Sequence, residues 1–160
     1  MLVLALLVLA GLVPLALALL SIGALEPQIS RNHADTIRAR YLAESGLEHA
    51  YDVLTRDASA WPAHLAGSTC TTGAVLLDAP VPGRPASEGQ VRVLVRNDCA
   101  PGDERVTGVP RENGIEDANR RLVVISIGTV ERLTYAMTAA VEAGQTVPQK
   151  AGRTYNWSER

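Results

Sequence analysis

The first 25 residues, MLVLALLVLAGLVPLALALLSIGAL, carry no charge and hold 21 apolar side chains. At about 1.5 Å per residue such a run makes a helix roughly 37 Å long, enough for a hydrocarbon layer about 30 Å thick. It has no polar face to turn toward water, so it is expected as a membrane-length helix outside any small soluble core. A cleaved signal peptide would instead need a basic start, a shorter apolar stretch and small residues before the cut. Here the first basic residue is Arg31, and Ile22 holds the third position before a cut after Ala24. A single anchor is therefore the expectation. Pro14, following Gly11, removes one backbone hydrogen bond in mid-helix and is expected to kink or locally melt it.

Beyond that run the chain is ordinary. Its 160 residues leave room for one modest domain. A net charge of -2 with 4% aromatic residues offers neither a basic field nor stacking platforms for nucleic acid. Phe is absent, so the core must be built from Leu, Val, Ile and Ala with a few Tyr and Trp.

Helix is expected to continue past the apolar run. From Gln28 to Asp57 the sequence contains Gly46 as its one glycine and no proline, and Pro27 is tolerable where a first turn begins. At 100° per residue, Ala43, Leu47, Ala50, Tyr51 and Leu54 share an arc of roughly 100°, the stripe of a helix resting on one core. Ala43, Leu47, Ala50 and Leu54 are thus the expected head-packing residues. Glu44, Glu48 and Asp52 lie on a neighbouring arc and read as a solvated face. Higher up, Ala34, Ile37 and Tyr41 project onto the acidic arc. A single sheet cannot cover both faces, which leaves Ile37 and Tyr41 exposed or buried by other molecules. As one rod, residues 1–56 would reach about 80 Å and protrude from so small a head.

The remainder reads as strands. Gln90–Asn97 alternates Val91, Val93 and Val95 with Arg92, Leu94 and Arg96, a half-buried strand. Leu133 to Val141 alternates in the same way, Arg121 to Gly128 is a β-branched run expected to pair with it, and Gly73 to Asp78 is a further strand. Strands without intervening helices imply an antiparallel sheet needing one apolar cover, so the fold class is α+β with a long N-terminal helix packed on a small antiparallel sheet. Pro80, Pro82, Gly83 and Pro85 mark a loop, and Pro101 to Asn119 marks a second with a turn at Asn113-Gly114. Residues 143–160 read as a polar tail with Trp157 as a tie-down point, and the sequon Asn156-Trp157-Ser158 is discounted. Cys70 and Cys99, the two cysteines, are expected to form a disulfide. Closing a loop of about 30 residues would stabilise the head by about 3 to 4 kcal/mol and implies an oxidising, extracytoplasmic compartment.

Chemistry is not visible. His33, His49 and His64 lack metal-ligand spacing, and two cysteines at this separation make no zinc site. No nucleophile elbow, phosphate loop or dinucleotide fingerprint occurs. Asp103, Glu104, Glu112, Glu116 and Asp117 lack the spacing of an EF-hand and read as a solvated loop. The expectation is a chain that is not an enzyme, with no catalytic residue, cofactor or metal.

Two segments carry a family resemblance. Glu26-Pro27-Gln28-Ile29-Ser30-Arg31-Asn32 follows the apolar helix, and Arg40-Tyr41-Leu42-Ala43-Glu44-Ser45-Gly46-Leu47-Glu48-His49-Ala50 is similar to the pilin pattern A-E-A/S-G-L/I-E-x-A. Over residues 1–56 the chain resembles type IV pilins, most closely minor pilins of the PilX type, with a weaker echo over Val123 to Val141. The resemblance implies a transmembrane and filament-core helix over 1–26, an amphipathic continuation over 27–57, a β-rich head over 58–142 and a tail over 143–160. It implies an assembly role for Ile37, Tyr41, Glu44, Gly46 and Glu48, the small residue admitting neighbouring helices while the acids stay wet. The implied function is structural: assembly or priming of a type IV pilus, with a head available for adhesion. Its partners would be other pilin subunits and the assembly machinery. The chain would sit in the inner membrane with a periplasmic head before assembly, and in a surface pilus afterwards. The first acid is Glu26, which leaves open a start inside the apolar helix or a subunit without the early acid, as in tip subunits of type II secretion pseudopili. A minor pseudopilin and a single-pass envelope protein with an extracytoplasmic binding domain are the alternatives.

Overall fold

The computed structural model describes residues 2–80, 89–131 and 133–143, apart from the side chains of 4, 5, 7, 18, 21, 22 and 24. The loop expected around Pro82 to Pro85, the tail beyond Ala143, Trp157 and the sequon lie outside the described residues. The chain divides into two compact units, Met1–Asp35 and Thr36–Arg160.

Helix α1 runs over Leu2–Arg56 and contains both Pro14 and Pro27. Helix is kept through Pro14, so any distortion there stops short of melting the element. In the first unit its described large apolar side chains are exposed, among them Leu2, Leu9, Leu15, Leu20, Leu25 and Ile29. Among the described residues no helix is long and apolar enough to cross a membrane. The membrane-spanning helix expected over 1–26 is thus not one of the features found, and that stretch includes positions whose side chains are outside the description.

The second unit is α+β. After a 3-10 turn at Ala58–Ala60 and a short helix α2 at Trp61–His64, four strands follow: β1 Ala74–Ala79, β2 Gln90–Asn97, β3 Arg121–Val130 and β4 Leu133–Glu142, with a short helix α3 at Glu104–Thr107 between β2 and β3. They form one sheet in the order β1-β2-β3-β4, antiparallel throughout. Such a meander keeps every neighbour in the sheet close in sequence.

Register places one face of the sheet against α1. Val91 pairs with Gly128, Val93 with Ser126 and Val95 with Val124, and across the next ladder Val124 pairs with Ala139 and Ser126 with Met137. Because side chains alternate along a strand, these residues share a face. They pack with Ala43, Leu47, Ala50, Leu54, Trp61 and Leu65 into the main core, while Ala39, Leu42 and Val130 form a smaller cluster beside it. The buried stripe of the helix therefore begins at Ala39, one turn above the expected start at Ala43.

Two glycines set how closely helix and sheet approach. A methyl group on Gly128 would overlap the carbonyl oxygen of Ala39 and lie 2.7 Å from the Ala43 nitrogen and 2.9 Å from Leu42 Cβ. One on Gly46 would overlap Ser126 Oγ and lie 2.6 Å from Val91 Cγ2. The backbone of α1 thus lies almost on the backbone of β3 at Gly128. The lower end of α1 is tied by Trp61, whose Nε1 donates to the Leu54 carbonyl at 2.8 Å. That bond satisfies a carbonyl of the last turn, for which the helix has no N–H donor of its own.

Candidate functional site

Two surfaces of the second unit carry the residues that the sequence singles out: the outward side of α1 and the loop between β2 and β3.

On α1, Ile37 is 38% exposed and Tyr41 is 65% exposed. Glu48 is exposed and Glu44 is half-buried, with its Oε1 accepting from Arg40 Nε at 3.1 Å. An ion pair one turn apart on a helix surface is worth a few tenths of a kcal/mol, so Arg40 relieves the crowding of like charges without fixing the surface. Asp52 is answered in the same way by Arg56, at 2.5 Å. Gly46 departs from its expected part. It is buried against Ser126 and Val91 of the chain's own sheet, so its missing side chain makes room for the head. The outward set is thereby reduced to Ile37, Tyr41, Glu44 and Glu48, while Ala43, Leu47, Ala50 and Leu54 lie in the core.

Of the acids in the loop after β2, Glu104 and Glu116 are exposed as expected, whereas Asp103 is buried and Glu112 and Asp117 are half-buried. Cys99 is joined to Cys70 with a Cα separation of 5.0 Å, within the range a disulfide accommodates, and this fixes the loop's start. Asp103 is buried and receives both ends of the Arg96 guanidinium: Nη1 meets Oδ2, and Nη2 donates to Oδ1 at 2.7 Å. The Ala100 backbone N–H also donates to Oδ2 at 2.9 Å. A buried carboxylate needs such partners, since desolvation of an unpaired ion costs several kcal/mol. Arg96 sits on the polar side of an alternating strand, and it becomes buried because helix α3 carries Asp103 over it.

Asn97 and Asp98 then organise the rest. Asn97, fully buried, places Nδ2 at 2.7 Å from Glu112 Oε2, 2.9 Å from the Gly114 carbonyl and 3.0 Å from the Glu116 carbonyl. Asp98, also fully buried, accepts from Asn119 Nδ2 at 2.9 Å, and its carbonyl accepts the Glu112 backbone N–H at 3.2 Å. Glu112 further receives the Ala118 N–H at 3.0 Å, and Asp117 the Arg121 N–H at 3.1 Å. Burial, with the neighbouring charge of Glu112, holds the carboxyls of Asp98 and Asp117 above their ordinary range. Asp98 and Asn97 each keep one buried oxygen, Oδ1, without a hydrogen-bond partner. Among the described residues no group of three or more His, Cys, Asp or Glu side chains gathers to hold a metal ion.

Sequence reasoning found the acids of this loop but not Arg96 and Asn97, which bind Asp103 and Glu112, nor the pair formed by Asp98 and Asn119. The usable signal was polar residues ending a strand whose alternate positions are Val. Beside the loop a cavity of about 750 Å³ is walled by Trp61, Pro62, Leu65, Ile115, Asp117 and Arg120.

The fold and these surfaces define a class no narrower than an α+β protein led by a 55-residue helix. No family model, curated protein or solved structure matches the chain.

Proposed function

We propose that this chain is a structural subunit of the pilin type, a minor pilin that takes part in assembling or priming a type IV pilus. Its residues 1–26 would lie in the inner membrane beforehand, and its head would be available for adhesion. The observation that carries this reading is the division of labour along α1. Residues Ala39 to Leu54 give their apolar stripe to the sheet, while the described large apolar side chains between Leu2 and Ile29, and Ile37 and Tyr41 on the second unit, stay exposed. An exposed series of this size on one element calls for partners that bury it, and other helices of the same kind are the partners that a helix-shaped surface fits. A plain anchor would not need the outward Ile37 and Tyr41. The extracytoplasmic location follows the disulfide, since such bonds persist in oxidising compartments. A type II secretion pseudopilus would use the same helix and differs in the machinery it meets.

The test is photo-crosslinking in the cells from which the chain comes. With a photo-reactive residue replacing Tyr41, adducts to the helices of other pilin subunits are expected. Adducts confined to lipid, or no more adducts from the exposed Tyr41 than from Leu47 as the buried control, count against the proposal.

A further inference from the structure

The cavity beside α2 has hydrocarbon walls whose polar atoms are mostly engaged elsewhere. Trp61, Pro62 and Leu65 stand on one side and Ile115 and Ala118 on the other, with about 750 Å³ between them, a volume within the range of small-molecule sites. The one donor of Trp61 is held by the Leu54 carbonyl, so the indole offers the cavity carbon alone. Ser59 has its hydroxyl and its N–H on Asp57, and Ala118 has its N–H on Glu112. Ile115 stays 49% exposed on this wall, a large apolar side chain that folding leaves uncovered.

Arg120 differs from its neighbours. It is exposed on the same wall, and among the described residues its guanidinium has no hydrogen bond or ion pair. Its φ is 59°, a left-handed conformation that suits Gly, Asn and Asp and that other side chains rarely take. The turn is pinned from both sides. The Arg120 carbonyl accepts the Ala143 N–H at 3.0 Å, and the Arg121 N–H is shared by Asn119 Oδ1 at 2.9 Å and Asp117 Oδ1 at 3.1 Å. Glycine would hold this backbone without strain, so what the position gains from arginine is its side chain.

A guanidinium presents a planar fork of donors that grips a carboxylate through two parallel bonds. Glu116 and Asp117 share the wall, which limits the charge of a guest: one carboxylate close to Arg120 is tolerated, and a polyanion is repelled. We propose that this cavity is a binding site for a small apolar monocarboxylate, its hydrocarbon part between Trp61, Leu65 and Ile115 and its carboxylate on the Arg120 guanidinium. The proposal is independent of the pilin reading.

The experiment uses the full chain in lipid nanodiscs, with phenylbutyrate as the probe, empty nanodiscs as the blank and ligand-observed NMR as the readout. About a dozen non-hydrogen atoms at the efficiency of small ligands correspond to a Kd of about 10⁻⁴ to 10⁻³ M. The uncharged phenylbutanamide and inorganic phosphate are each expected to bind at least about tenfold more weakly. Arg120→Gly suits the φ of this position, so its Tm is expected within about 2 °C of the parent's while its affinity falls at least about tenfold. Ile115→Ser is expected to weaken binding by about threefold or more. N-acetylphenylalanine, shaped like a chain end, separates two sources of such a group. Tighter binding than phenylbutyrate assigns the site to a peptide C-terminus and weaker binding to a free acid, and either result supports the proposal. A full chain with its disulfide formed that binds phenylbutyrate no better than empty nanodiscs overturns it. So do an Arg120→Gly protein of unchanged affinity, tighter binding of phenylbutylamine, which would give the site to Glu116 and Asp117, and binding that appears only once residues 144–160 are removed.

Discussion

Replacing Gly128 by Ala tests the packing that joins α1 to the sheet. The added methyl would overlap the Ala39 carbonyl and press on the Ala43 nitrogen and Leu42 Cβ, so what must move is helix backbone, held by its own hydrogen bonds. Gly128 is not among the residues with positive φ, and the cost is therefore steric. Overpacking a close contact costs about 1 to 3 kcal/mol, more where neighbours are rigid. Gly46→Ala gives the comparison. Its methyl would meet the side chains of Ser126 and Val91, one of which turns about a single bond, and Ala gains about 1 kcal/mol over Gly inside a helix. Gly128→Ala is thus expected to be the more destabilising by about 1 to 2 kcal/mol. At about 2 to 4 °C per kcal/mol for a chain of this size, that separates their Tm values by about 2 to 8 °C. Thermal unfolding followed by circular dichroism reads this directly. Equal Tm values, or a lower one for Gly46→Ala, would refute the close approach of α1 to β3.

Other outcomes follow from the same core and loop. Leu54→Ala, at a position with no exposure, should cost about 2 to 5 kcal/mol in denaturant unfolding, whereas Tyr41→Ala should cost under about 0.5 kcal/mol. Asp103→Asn leaves the buried Arg96 guanidinium without its counter-charge, and should cost about 3 to 5 kcal/mol by the same assay. Replacing Cys70 and Cys99 together by Ser opens a loop of 29 residues and should lower stability by about 3 to 4 kcal/mol.

Much of the head was legible because its strands announce themselves locally. Gln90–Asn97 carries Val at every second position from 91 to 95, and β2 has those bounds. Arg121 to Gly128 is β-branched on both faces, and β3 extends it only to Val130. The stripe Ala43, Leu47, Ala50 and Leu54 follows from helical periodicity alone. What lay hidden depends on groups far apart in sequence. Ala39 and Leu42 are buried because Val130 and Tyr135 come over them. Gly46 looked like a surface notch because nothing in its neighbourhood reveals Ser126. Asp103 and Glu112 looked solvated because their partners, Arg96 and Asn97, come from the end of a strand. Helices α2 and α3, a single turn each, are too short for any periodicity to show.

The central claim is that α1 works among other helices of its kind, and the most direct measurement is the whereabouts of the chain in its native cells. Filaments sheared from the surface and analysed by quantitative mass spectrometry should contain it at a low ratio to the main subunit, and it should leave that fraction when the assembly ATPase is deleted. A chain that stays in the envelope fraction in both strains, and never appears in sheared filaments or in crosslinks to their subunits, would contradict the account.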